Sequence, residues 1–340
     1  YDAATRELVS TTPEGRQKTT TLDLRGRVSQ VSKFGLLPRT FTYDAQGRLF
    51  STTRGEGEDE RTTNFSYDLD GWLASITNPE LQVRQYEYDD AGRKIKVIRN
   101  DGAEIGYGYD DNGNRTVVVP PIRPPHLFGY TPVDLEELYT APDIGTVSSS
   151  TLYEYNLDRQ VTSMGLPGGA YIDPIYDTAG RLIERHVPGR TLTFTYAPTT
   201  SQLAGIASSD GLDVAFTYDG FLKTGTEWTG TVNGSVTRNY DANYALATES
   251  ANDGHNVEFT YDNDGQFTGA GNLAISRDPK TGVVVGTALG DTSTTLAWNA
   301  FGELVHFNAA HAGTNRVSFA YVKDKLSRIT QKTETVDGST

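Results

Sequence analysis

The chain has 340 residues, no cysteine and a formal net charge of −14, from 44 acidic and 30 basic side chains. Without cysteine it has no disulfide scaffold, no cysteine-ligated metal site and no cysteine nucleophile. The negative charge disfavours nucleic acid as a partner because it repels the phosphate backbone. No apolar run approaches the roughly 18 residues of a membrane-spanning helix, so we expect no membrane insertion by this segment.

A tyrosine–aspartate motif recurs along the whole chain. Counting degenerate copies, twelve of the fourteen steps between successive copies span 20 to 24 residues. The fuller copies read Tyr-Asp-x-x-Gly-Arg followed by an apolar residue. The motif residues, in chain order, are Tyr43, Asp44, Gly47, Arg48, Tyr67, Asp68, Gly71, Tyr88, Asp89, Gly92, Arg93, Tyr109, Asp110, Gly113, Tyr176, Asp177, Gly180, Arg181, Tyr218, Asp219, Tyr240, Asp241, Tyr261, Asp262 and Gly265.

Each repeat carries the pattern of one β-hairpin. Apolar residues alternate with polar ones before the tyrosine, as in Ile105-Gly106-Tyr107-Gly108-Tyr109, and this period of two is typical of a half-buried strand. The motif itself is a turn, in which aspartate accepts a backbone hydrogen bond and glycine supplies a positive φ. A second turn, such as Asp101-Gly102, follows about half a repeat later.

The sequence therefore predicts an all-β fold of consecutive antiparallel β-hairpins of about 21 residues. About thirty strands would form one large curved or spiralling sheet, part of a hollow shell or wide barrel, because strand twist coils a sheet of this size. We expect each motif tyrosine to stack beside the tyrosine of the next repeat in an aromatic ladder, with motif aspartates and arginines forming a second ladder.

One stretch interrupts the period. Residues 116–150 hold six of the 14 prolines, and the step from Tyr109 to Tyr155 is about one repeat too long. Because proline cannot donate to a ladder, we expect pairing to lapse in this Pro-rich insertion. A surface loop, a plug or strap across a shell interior, and a partner-binding site remain alternatives for it. Apart from this insertion we expect residues 1–340 to be a single repeat array, an excerpt of a longer chain, since both ends interrupt the motif period.

The repeat resembles the YD repeats of bacterial Rhs proteins, of the C component of insecticidal Tc toxins and of animal teneurins. The resemblance covers essentially the whole chain. It implies a spiralling sheet that closes into a hollow shell and, in bacterial members, holds a toxic C-terminal segment. The expected function is a non-enzymatic shell segment of a bacterial secreted or cell-surface protein. Its expected partners are the remainder of its own chain and an enclosed C-terminal cargo. The Asp278-Pro279 segment does not match the spacing of the self-cleavage motif of such shells.

The alternative function is an extracellular adhesion module on the same scaffold, binding glycans or cell-surface proteins. Possible ligand contacts are Trp228, which lies outside the motif, and His126 and Tyr130 in the Pro-rich insertion. We expect no catalytic residue, cofactor or metal. The sequence Asp262-Asn263-Asp264-Gly265 resembles the start of a calcium loop but lacks the glutamate that closes one, so a repeat turn explains it better.

Overall fold

In the computed structural model the described residues are 1–142 and 150–338, and they contain 31 strands, one 3₁₀ turn and no α-helix. The strands are β1 Glu7–Thr11, β2 Gln17–Leu22, β3 Val28–Lys33, β4 Arg39–Tyr43, β5 Leu49–Arg54, β6 Arg61–Tyr67, β7 Leu73–Thr77, β8 Val83–Tyr88, β9 Lys94–Ile98, β10 Glu104–Tyr109, β11 Arg115–Val119, β12 His126–Tyr130, β13 Glu136–Thr140, β14 Ser150–Tyr155, β15 Val161–Gly165, β16 Tyr171–Tyr176, β17 Leu182–Val187, β18 Arg190–Tyr196, β19 Leu203–Ser208, β20 Asp213–Asp219, β21 Leu222–Thr229, β22 Gly234–Tyr240, β23 Leu246–Ala251, β24 Val257–Tyr261, β25 Phe267–Ala270, β26 Leu273–Arg277, β27 Val284–Leu289, β28 Thr292–Trp298, β29 Leu304–His311, β30 Thr314–Lys323 and β31 Ile329–Val336. The 3₁₀ turn is Gly57–Asp59.

The strands pair antiparallel with their neighbours in the chain, within each of two compact units. The first unit comprises residues 1–85 and 257–340, and the second residues 86–256. In the first, β1 to β8 and β24 to β31 form two runs of hairpins. In the second, β9 to β23 form one run. The predicted all-β fold of consecutive hairpins is confirmed.

A β-bulge recurs at the motif tyrosine. The pairing of β4 with β5 matches Thr42 with Ser51 but Tyr43 with Leu49, so Phe50 is left without a partner in the ladder. The motif turn follows at once, where the Asp44 amide donates to the Arg48 carbonyl at 2.9 Å. Gly47 has a φ of +88°, which explains the glycine of the motif. A bulge strengthens local twist and re-aims the side chain beside it.

The hairpins do not enclose a conventional hydrophobic core. Val97 is the one hydrophobic side chain that is buried among the described residues, at 8% exposure. The accessible surface is 21161 Å², whereas a compact protein of this mass exposes about 14,000 Å². Most side chains of the described strands therefore keep some contact with solvent, and contacts between neighbouring hairpins must supply much of the stability.

The described part of the Pro-rich insertion contains a further hairpin. Strand β12 pairs with both β11 and β13. The expectation that pairing lapses in this insertion is therefore wrong for its described part. The prolines lie mostly in the connections, where no ladder donor is needed. After Tyr130 the Thr131 amide donates to the Leu135 carbonyl, as in a motif turn. Asp134, with a φ of +62°, takes the place of the motif glycine. Residues 143–149 lie outside the described part of the chain.

None of the described residues belongs to a helix with the length and apolar character that a bilayer crossing requires.

Candidate functional site

A motif that carries its arginine forms a three-part link to the next hairpin. The Arg48 guanidinium donates from Nε to the Asp44 carboxylate at 2.8 Å, which holds it across its own turn. Its Cζ then lies 4.3 Å from the ring centre of Tyr67, the tyrosine of the following copy. The Tyr67 hydroxyl donates back to the Leu49 carbonyl at 2.9 Å. Aspartate, arginine and tyrosine thus join two consecutive repeats by an ion pair, a cation–π contact and a hydrogen bond.

This link recurs along the chain. The same hydroxyl-to-carbonyl hydrogen bond joins Tyr43 to Val28, Tyr109 to Lys94, Tyr130 to Arg115, Tyr155 to Glu136, Tyr196 to Leu182, Tyr218 to Leu203 and Tyr240 to Lys223, and Trp298 Nε1 donates equivalently to Val284. Arginine lies over the next tyrosine in the pairs Arg27–Tyr43, Arg93–Tyr109 and Arg181–Tyr196. The motif residues therefore act in cohesion between repeats.

The expected stacking of tyrosine on tyrosine is wrong for these copies. Each repeat contributes two strands, so successive motif tyrosines lie two strand spacings apart, roughly 10 Å. The arginine at the end of the motif turn, such as Arg48, lies in that gap over the ring of the next tyrosine. Backbone N–H groups and the arginine of the same turn lower the pKa of Asp89 and of Asp177 below the ordinary value, against a smaller opposing effect of burial.

A second set of contacts joins the beginning and the end of the first unit. We call it the turn seam. On one side lie the four turns that follow β1, β3, β5 and β7, at the edge opposite the motif turns. On the other side lie four late motif turns, beginning at Asp262, Asp278, Asn299 and Asp324. The turns meet in the same order along both segments, and the two middle early turns with their flanking residues each contact two consecutive late turns. The hydrogen bonds that join the two sides span 242 to 266 residues of sequence.

The first contact of the turn seam is made by Arg16. Its guanidinium pairs with Asp262, at 2.7 Å from Nη2, and with Asp264 through Nη1. The Glu14 amide donates to Asp264 at 3.0 Å, and the Asn263 amide donates to the Glu14 carboxylate at 2.8 Å. Although burial alone would raise them, hydrogen bonds from Arg16 and from backbone amides hold the pKa values of Asp262 and Asp264 below the ordinary value. The carboxylates that resemble a calcium loop thus bind a guanidinium.

The second contact combines close packing between two turns with a cation–π interaction. The methyl group of Thr281 lies 2.8 Å from the position that a Cβ on Gly35 would occupy, so the two turns meet closely. The Lys280 ammonium lies 4.7 Å from the ring centre of Phe34. Gly35 has a φ of +85°. A larger residue would therefore be strained there and would push the turns apart.

The third contact contains a second buried ion pair. Arg61 donates to Glu303 from both Nη atoms, at 2.5 Å and 3.1 Å, and its Cζ lies 3.6 Å from the ring centre of Phe301. The Leu37 amide donates to the Ala300 carbonyl at 2.8 Å. Hydrogen bonds from Arg61 lower the pKa of Glu303 to about 2, despite an opposing effect of burial.

The fourth contact is a single hydrogen bond, from the Lys325 amide to Glu80 Oε1 at 2.9 Å. No motif marked Arg16, Arg61 or Glu80 in the sequence. The one available signal was position, because each lies in or just after the second turn of its repeat.

The three candidate ligand residues each make a contact within the protein. His126 Nδ1 lies 2.8 Å from the Tyr139 hydroxyl, and the two rings stack. The Tyr130 hydroxyl donates to Arg115 at 3.1 Å, as a motif tyrosine. The Trp228 ring packs so closely against Gly234 that an added Cβ would clash with it. His126 and Tyr130 lie on β12, whereas Trp228 lies on β21. Ligand contact at these three positions stays a prediction.

Comparisons with known proteins agree with this geometry. The family model described as "Teneurin YD-shell" matches residues 1–340. A crystal structure of TcdB2-TccC3 aligns with a TM-score of 0.69 and 14% identity, over 96% of this chain and 23% of that one. TcdB2-TccC3 without its hypervariable C-terminal region gives a TM-score of 0.51 and 13% identity, over 94% and 22%.

A Photorhabdus luminescens Tc holotoxin pore also aligns, with a TM-score of 0.51 and 13% identity, over 97% of this chain and 22% of that chain. This chain thus spans less than a quarter of the solved chains it resembles, and at these identities the likeness concerns the fold. A comparison with curated protein sequences gives no match.

Proposed function

Because the chain belongs to the teneurin YD-shell family and is a structural shell segment, we propose that it forms part of a non-enzymatic wall that encloses a C-terminal cargo polypeptide. The wall would belong to a longer bacterial protein that is secreted or displayed on the cell surface. One observation carries this proposal: the turn seam joins the edges of hairpins that are about 245 residues apart in sequence.

The physical argument concerns access. A wall of paired strands leaves few free backbone groups within it, but the turns along its edges would still be places to open. The turn seam covers four of these turns with ion pairs and backbone hydrogen bonds. To pass between these hairpins, a protease or solvent molecule would have to break contacts between residues that are distant in sequence. Such contacts hold several hairpins together, so they would have to open together.

Limited proteolysis of the full-length parent protein tests the proposal. We expect the C-terminal cargo to be cut far more slowly in the intact protein than as an isolated polypeptide under the same conditions. A parent carrying both Arg16→Gln and Arg61→Gln should lose part of this protection while its hairpins remain folded. If the cargo in the intact protein is cut as fast as the isolated polypeptide, the chain does not act by enclosure.

The matched control is Arg99→Gln in the second unit. Arg99 forms an exposed ion pair with Asp101 at 3.1 Å and makes none of the turn-seam contacts described above. This variant is compared with each single variant, Arg16→Gln and Arg61→Gln, because it removes the same charge from the same residue type, and its cargo protection should equal that of the unaltered parent. A loss of protection here as well would show that net charge, and not the turn seam, governs access.

A further inference from the structure

A row of basic side chains crosses five adjacent strands in the first unit. Lys18 and Lys33 face each other across β2 and β3, Arg39 and Arg54 across β4 and β5, and Arg54 and Arg61 across β5 and β6. Directly opposed like charges destabilise a sheet. Such an arrangement is unexpected in a protein with a net charge of −14.

Most of this row lacks a counter-ion. Arg61 pairs with Glu303 in the turn seam. Lys18, Lys33, Arg39 and Arg54 have no carboxylate within ion-pair distance anywhere in residues 1–142 and 150–338. Burial and the neighbouring charges of Arg39 and Arg61 lower the pKa of Arg54 below its usual value, with Glu303 opposing them. The local field at this place therefore favours an anion.

Three of these cations line an open cavity. Lys33, Arg39 and Arg54 border a space of about 460 Å³, within the range of small-molecule sites. The rest of its wall is mostly apolar and includes Phe41 from β4 together with Phe301 from the late hairpins. Since Arg54 Cζ lies 5.5 Å from the Phe301 ring centre, charged and apolar surfaces adjoin each other.

We propose that this cavity is a binding site for a small organic anion. Lys33, Arg39 and Arg54 would hold its carboxylate, phosphate or sulfonate group by charge-assisted hydrogen bonds. The apolar wall would pack against the hydrocarbon or aromatic body of the ligand. Both sides of the turn seam contribute to the site, with Val283 and Phe301 on the late side, so a bound anion would also hold the seam closed. The site is independent of any enclosed cargo.

Isothermal titration of the 340-residue chain with 1-naphthoate tests this site, with the uncharged isostere 1-naphthalenemethanol as the reference ligand. We expect naphthoate to bind at least about tenfold more tightly, with affinity that falls as salt is added. It should also raise the thermal unfolding temperature by mass action. Equal affinities for the two compounds, or no heat from naphthoate at roughly 1 mM, overturn the proposal.

The variants Arg39→Gln and Arg54→Gln should each weaken naphthoate binding about tenfold, because one charged donor is lost. Arg54→Gln should leave the unfolding temperature equal or higher, since it relieves like-charge repulsion. Arg99→Gln, an equal change of charge in the other unit, should leave the affinity unchanged. If Arg54→Gln fails to fold, the more exposed Arg39→Gln decides alone. Unchanged affinity in the folded cavity variants overturns the proposal.

Discussion

Arg61 and Glu303 are 242 residues apart in sequence, yet their side chains form a two-pronged ion pair with exposures of only 15% and 8%. Glu303 also accepts a hydrogen bond from Asn299 Nδ2 at 2.8 Å. Two charges withdrawn from water in this way stabilise a structure only as a complete set. Removing either side chain would leave the other as a buried charge without a counter-charge. The pair therefore holds the two sides of the turn seam together.

Arg61→Gln should destabilise the first unit by about 2 kcal/mol, because Glu303 would keep its burial and lose its charged donor. Two amides that donate across the turn seam, those of Leu37 and Lys325, report this by hydrogen exchange, and both should exchange faster. Arg99→Gln is the control, since its partner Asp101 is half exposed. Equal exchange of the two amides in both variants would contradict a fastening role for Arg61.

The same pair predicts how the turn seam responds to acid. The pKa of Glu303 falls from 4.5 to about 2 in the folded state. A carboxylate with a lowered folded pKa contributes stability that is complete above its unfolded pKa and is lost as pH falls through the folded one. The contribution, at most about 3 kcal/mol, should stay constant from pH 8 to pH 5 and decline between pH 4.5 and pH 2.

Urea unfolding of the chain and of Glu303→Gln across this range measures the effect. The difference in unfolding free energy between the two proteins should be flat above pH 5 and shrink below pH 4.5. The turn seam would then remain closed in mildly acidic surroundings. A difference that already shrinks between pH 7 and pH 5 would mean that a group other than Glu303 controls the seam.

Sequence periodicity was sufficient to predict the hairpins because it is a local property. A 21-residue step and alternation before Tyr109 determine strand, turn and strand without knowledge of distant residues. The contacts of the tyrosines were harder to predict from the sequence. The expected stacking of Tyr43 on Tyr67 did not take account of the strand that lies between them. The turn seam was not predictable, because nothing near Arg61 in the sequence specifies which of several similar late turns it meets.

Degenerate copies show why motif matching alone undercounts repeats. The copy at Tyr130 lacks both the aspartate and the glycine of the motif, yet its turn has the same hydrogen bonds. The positive φ that glycine supplies elsewhere is adopted by Asp134, and in other copies by Arg159, Tyr244 and Ser327. The backbone conformation is retained where the residue type is not, at some cost in strain.

Tyr67→Phe tests the link between repeats. The variant keeps the ring beneath Arg48 and removes only the hydroxyl that donates to Leu49 at 2.9 Å. We expect a loss of about 1 kcal/mol in unfolding free energy, measured by urea denaturation. Tyr244→Phe is the matched control, because this tyrosine is 64% exposed and its hydroxyl makes no hydrogen bond within the described residues. Similar losses in both variants would argue against cohesion through the motif hydroxyl.

Gly55→Ala and Gly57→Ala separate contact across the turn seam from backbone strain. Both glycines have positive φ, +79° and +59°, so each alanine pays the left-handed penalty of about 1 kcal/mol. A Cβ at Gly55 would also lie 2.7 Å from the Asp59 carbonyl oxygen and 2.9 Å from Phe301 Cζ, whereas one at Gly57 meets nothing within 4 Å. Gly55→Ala should therefore destabilise the first unit by about 1 kcal/mol more than Gly57→Ala does. Of the two variants, only Gly55→Ala should speed hydrogen exchange of the Leu37 amide. If the two substitutions lower the unfolding free energy equally, the close approach of Phe301 to Gly55 does not stabilise the turn seam.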